Sequence, residues 1–172
     1  MLRALDNTEI LPLESVEPFD GTGIYALYYE GGFQPYHLLA QANREQRGSW
    51  PIYVGKAEGQ SAVALQENCR ASISAACNLN AEDFSVRVLK VAPTWVPLAE
   101  SVAMRMHRPV WNTLVEGFGN QEPGAGHRAG EKSRWDTLHP GRAWAELCSP
   151  NTESAEQIAQ DVRDYLRAQK RG

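Results

Sequence analysis

A chain of 172 residues, 42% hydrophobic and 22% charged, is long enough for one real core and reads as soluble and globular. It holds no apolar run approaching the eighteen or so residues of a membrane span, and its N-terminus lacks the basic, apolar, small-residue order of an export signal. A net charge of −4 and a pI near 5.6 speak against binding nucleic acid by bulk positive charge, though not against a basic face.

After a polar, proline-punctuated lead-in, "TGIYALYY" at 22–29 is rich in aromatic and β-branched residues and ends at a Glu-Gly-Gly turn, which predicts a strand. Residues 33–50 read as a connecting excursion, and "PIYVG" at 51–55 as a second strand, antiparallel to the first. Ser61 can cap a helix in which Val63, Leu65, Cys69, Ile73 and Ala76 mark one face. "FSVRVLKV" at 84–91 alternates as a third, half-buried strand. "WVPLAESVAMRMH" follows as a helix, with Pro97 in its first turn and Leu98, Val102 and Met106 as its core stripe.

Pro109 ends that helix, and "VWNTL" leads into a long glycine-rich, polar loop up to Ser133. "RWDTLHPGRAWAEL" looks ordered, and a last helix from Thr152 carries Ile158, Val162, Tyr165 and Leu166 as a narrow apolar stripe. The expected fold is α+β, with a small three-stranded antiparallel sheet flanked by helices. It would form one domain over 1–172, with a core of about 17–116 and an extension of 117–172. The three cysteines (Cys69, Cys77 and Cys148) form no CxxC and fit a reducing, cytoplasmic setting.

Between His127 and Arg142 the chain is locally basic, with Arg128, Lys132, Arg134 and Arg142 against Glu131 and Asp136. Taken singly, the two strand tyrosines are unremarkable. Their order is not: Gly23-Ile24-Tyr25, then Tyr53-Val54-Gly55, then a helix glutamate at Glu100, then "PVWN" ending at Asn112. This series resembles the GIY-YIG nuclease superfamily. "FDGTGIYALYY", "PIYVGKA", "SISAACNLNAEDF", "WVPLAE", "RPVWNTLVEGFGN" and "SRWDTLHPGR" bring the resemblance closest to its type II restriction endonucleases, over roughly residues 17–145.

The resemblance implies hydrolysis of phosphodiester bonds in double-stranded DNA. Tyr25 would be general base or positioner of the attacking water, and Tyr53 would orient water and phosphate beside it. Glu100 would be the metal ligand for Mg2+ or Mn2+, and Asn112 would orient the phosphate or order the local backbone. One carboxylate suffices for a Mg2+ that keeps most of its waters. Lys56 is a source of positive charge for a tyrosine whose ordinary pKa is near 10. A restriction enzyme of this kind implies a homodimer, two symmetric sites cutting two strands, with Arg128, Lys132, Arg134 and Arg142 as DNA contacts. Where the family has an arginine and, one turn later, a histidine, this chain has Leu65 and Cys69. Arg70 and His107 are then the candidates to supply the missing charge. The alternative reading is a weakened or silent nuclease fold that holds DNA or a partner without cutting.

Overall fold

The computed structural model describes residues 4–16, 21–57, 62–122 and 130–170; in the helix that begins at Ala62 it describes side chains from Glu67 onward. The expected cap at Ser61, the side chains of Val63 and Leu65, and Arg128 therefore lie outside the described residues.

One antiparallel sheet organises the chain. Its strands are β1 (Ile10–Pro12), β2 (Gly23–Tyr29), β3 (Tyr53–Ala57) and β4 (Phe84–Lys90), in the spatial order β1-β4-β2-β3. The expected three-stranded sheet is thus corrected to four strands. The added strand, β1, pairs along an edge with β4, placing Ile10 opposite Arg87. It is three residues long and contains Pro12, so it offers no alternation to read, and its proline is tolerated because the strand lies at an edge.

All seven residues of β2 are buried, as a central strand covered on both faces requires. Tyr25, Leu27 and Tyr29 point into the larger core. That core also takes residues from α1 (His37–Glu45), α2 (Ala62–Ala75) and α6 (Ala155–Lys170), the last contributing Ile158, Val162 and Leu166. Ile24, Ala26 and Tyr28 face the other way, onto Val54 and onto α3 (Val96–His107). Two short helices, α4 (Val110–Thr113) and α5 (Arg134–Leu138), complete the set of α-helices among the described residues.

Two readings of the sequence change here. The connecting excursion contains α1, which buries Leu39, Ala40 and Asn43. The Asn43 amide donates to the carbonyls of Tyr29 and Trp50 and accepts from the Trp50 N–H, fastening the helix to the strand it follows. In α3 the apolar stripe is not the core face. Leu98 and Met106 are 49% and 50% exposed, while Val96, Ala99 and Ala103 are buried against the sheet. Small residues let the helix approach a strand that carries Ala26, and that close approach decides the face. The helix stops at Arg108, which takes a left-handed φ of 45° just before Pro109. Among the described residues no helix is long and apolar enough to cross a membrane.

Candidate active site

The two tyrosines meet because of a glycine. Tyr25 on β2 lies opposite Gly55 on β3, and the ring leans across it. A Cβ at position 55 would stand 2.6 Å from Tyr25 Cζ, so no larger residue fits without displacing the phenol. Crossing β3 in this way, Tyr25 comes to a centroid distance of 5.9 Å from Tyr53, with the planes tilted by 53°. Gly23 has a separate reason: a Cβ there would lie 2.4 Å from the Leu89 carbonyl oxygen of the neighbouring strand.

Residues alternate across a strand, so Tyr53 and Gly55 share the Tyr25 face of β3, while Val54 and Lys56 point to the face covered by α3. Both sets converge at the β3 side of the sheet. A cavity of about 850 Å3 is lined there by Tyr25, Tyr53, Lys56, Cys69 and Glu100, with a far wall from Phe118 to Glu122 and Trp144. Glu100 reaches it from the edge of the sheet-facing side of α3, one turn beyond the buried Val96.

Burial dominates the protonation of the phenols. It raises the Tyr25 pKa well above its ordinary value, helped by the neighbouring Cys69 and Tyr53 groups. Tyr53 is pushed up to about 12, first by burial and then by Cys69, with the Glu100 carboxylate adding to the rise. The Cys69 thiol, 3.6 Å from the Tyr25 hydroxyl, is also raised to about 12 by burial. All three are therefore protonated at neutral pH.

Asn112 does not line the cavity. Its side-chain oxygen accepts from the Val54 N–H and its amide donates to the Val54 carbonyl, both at 2.8 Å. It stands in for a neighbouring strand and holds the backbone that carries Tyr53. Of the two expected roles, ordering the backbone is the one its contacts match.

The substitute cations do not reach the cavity. Arg70 pairs with Glu14 at 3.1 Å, and His107 lies 3.5 Å from Asp6 on the α3 side of the sheet. Neither belongs to the lining, where Lys56 is the basic side chain among the described residues. Helical geometry explains Arg70: one residue past Cys69, it is rotated about 100° from the face that looks at Tyr25.

Three of the expected DNA contacts are committed to internal partners. Arg142 is 5% exposed and spends its N–H groups on Asp136 and on the carbonyls of Gly117, Phe118 and Asn120. It cannot read a base edge from that position, because no donor is left to turn outward. Arg134 donates to the Leu114 carbonyl and pairs with Glu153 and Asp161. Lys132 lies 2.6 Å from Glu146. The basic spacing visible in the sequence folds largely inward, onto acidic residues of the C-terminal part. The sequence marks the loop 117–133 for DNA specificity, but Phe118, Gly119 and Trp144 as walls of the cavity were not singled out in it.

A GIY strand and a YVG strand bringing their tyrosines to one cavity with a helix glutamate define a recognisable class, the GIY-YIG nucleases. A family model described as the Eco29kI GIY-YIG domain matches residues 17–166, and the chain belongs to this family of type II restriction endonucleases. Its domain is thus that of a DNA endonuclease. Comparison with curated proteins finds no match.

Proposed function

We propose that this chain is a metal-dependent endodeoxyribonuclease that hydrolyses phosphodiester bonds of double-stranded DNA, working as a homodimer in the cytoplasm. The observation that carries the reading is the convergence of Tyr25, Tyr53, Lys56 and Glu100 on one open cavity. The donor set suits a hard cation that keeps most of its water. Glu100 lines the cavity, its charge bears on Tyr53, and no group of three or more His, Cys, Asp or Glu among the described residues could cage a metal. Bound at Glu100, Mg2+ or Mn2+ would supply Lewis-acid neutralisation of phosphate charge.

The protein's own groups do the rest. The protonated Tyr53 hydroxyl orients water and phosphate by hydrogen bonding. Tyr25, whose burial holds its proton tightly, positions the attacking water, and can accept a proton only with positive charge close by. Lys56 contributes such charge, and Asn112 keeps the Tyr53 strand in register. Arg128, outside the described residues, remains a proposed DNA contact.

Plasmid cleavage with Mg2+ or Mn2+ at several enzyme concentrations tests the reading. Glu100→Ala should lower cleavage by about 100-fold or more; undiminished cleavage by that variant sinks it. A second reading, a silent nuclease fold that binds DNA, rests on Cys69 at the histidine position and on the engagement of Arg70 and His107 elsewhere. Salt-dependent DNA binding by wild-type protein that never cuts would favour it.

A further inference from the structure

Arg142 lies deep behind the cavity wall, and its surroundings are unusually complete. Nε donates to Asp136 Oδ1 at 2.6 Å and Nη2 to Asp136 Oδ2 at 2.8 Å. Nη1 donates to the carbonyls of Phe118 and Asn120, each at 3.0 Å, and Nη2 also to that of Gly117 at 2.8 Å. These contacts use all five N–H groups of the guanidinium. The indoles of Trp135 and Trp144 lie against it, their ring centroids 4.5 and 4.8 Å from Cζ. Asp136 is itself 1% exposed and accepts from Ser133, so the anchor is fixed too.

What the guanidinium grips is the segment 117–120, and that segment touches the chemistry. Phe118 packs edge-on against Tyr53 at a centroid distance of 4.9 Å. Gly119 follows it so closely that a Cβ there would stand 2.9 Å from the Tyr53 hydroxyl oxygen. Trp144, whose ring packs against the guanidinium, lines the same cavity. A merely structural tie could have held any surface loop. This one holds the wall that sets where the Tyr53 hydroxyl can go.

We propose that Arg142 is a positioning residue for the nuclease site, fixing the Tyr53 hydroxyl through the Gly117–Asn120 wall. The inference deepens the nuclease reading and rests on it for its effect on cleavage. Asn112 holds the backbone of Val54, next to Tyr53, and Arg142 confines the Tyr53 side chain from the opposite wall. A lysine at 142 would keep the charge but offer three donors from a single atom, without the planar fork that spans Asp136 and three carbonyls.

The test compares Arg142→Lys with Leu39→Ala, a core truncation in α1, which contributes nothing to the cavity lining. Tyrosine side-chain NMR, with the Tyr53 signal assigned by Tyr53→Phe, is recorded for both at matched distance below their melting temperatures. Arg142→Lys should move the Tyr53 signal, and in cleavage assays should lower kcat about tenfold or more with little change in KM. Leu39→Ala should leave the Tyr53 signal in place. An unmoved Tyr53 signal in Arg142→Lys, or an equal displacement in Leu39→Ala, overturns the proposal. If wild-type protein does not cut DNA, the nuclease reading falls while the NMR comparison still decides this one. If Arg142→Lys does not fold, Asp136→Asn, which keeps the shape but weakens the grip on the guanidinium, carries the same comparison.

Discussion

Gly55 shows how one missing side chain sets the geometry of the site. With the Tyr25 ring lying over it, an alanine there would have to push the ring aside or bend β3. Gly55→Ala should therefore cost about 1–3 kcal/mol of stability, by the mechanism of an overpacked core, and should reduce cleavage because Tyr25 no longer reaches Tyr53. Urea denaturation and plasmid cleavage measure the two effects. A Gly55→Ala variant as stable and as active as wild type would mean that the ring has another place to go. Residue-level chemistry was legible to this depth because the motifs name their residues in order: Tyr25, Tyr53 and Glu100 do line one cavity. Spacing cannot show which cations stay outside. Arg70 and His107 were credible as sequence, yet each found a carboxylate elsewhere, in Glu14 and Asp6.

Helix α3 is where periodicity and packing part. Leu98, Val102 and Met106 recur at the spacing of an apolar stripe, but the sheet takes the neighbouring face, with Val96, Ala99 and Ala103. Hydrophobicity patterns report which positions are apolar; they do not report how closely two backbones approach, and close approach selects alanine. Leu98→Ser should then change unfolding free energy by no more than about 0.5 kcal/mol, whereas Ala103→Leu should cost about 1–3 kcal/mol by overpacking. Chemical denaturation of the two variants separates the faces, and a large loss in Leu98→Ser would restore the stripe to the core. The same limit explains the other misses. Helix α1 was hidden in a stretch with Pro35 just ahead of it and is held by a buried asparagine, a polar contact that no apolar pattern announces. Strand β1 is too short to alternate. By contrast β2, β4 and α6 were legible because their composition and length agree with where they pack.

At the scale of the whole molecule, His139 joins four distant stretches of chain. Its Nδ1 lies 2.8 Å from Asn78 Oδ1, and its Nε2 lies 2.7 Å from the Tyr36 hydroxyl, which also accepts from the Trp111 indole N–H. The neutral ring satisfies both neighbours by donating at Nδ1 and accepting at Nε2. Burial lowers its pKa to about 3, against about 6.5 in an unfolded chain. The unfolded state thus binds the proton first as pH falls. The stabilising contribution is whole above about pH 6.5 and is lost progressively toward about pH 3, at about 1.4 kcal/mol per pH unit. Replacing the ring by His139→Gln should remove that part of the slope, which denaturation at a series of acidic pH values would reveal; parallel pH curves for the two proteins would count against it. Asn112 has a consequence at this scale as well. By occupying both backbone groups of Val54, while the Trp111 N–H bonds the Ile52 carbonyl, it covers the outer margin of β3 at its first half. The opposite margin is the three-residue β1 with its donor-less proline. One border is half covered and the other short and proline-bearing, so each offers little template for a further strand, and the sheet resists edge-to-edge polymerisation.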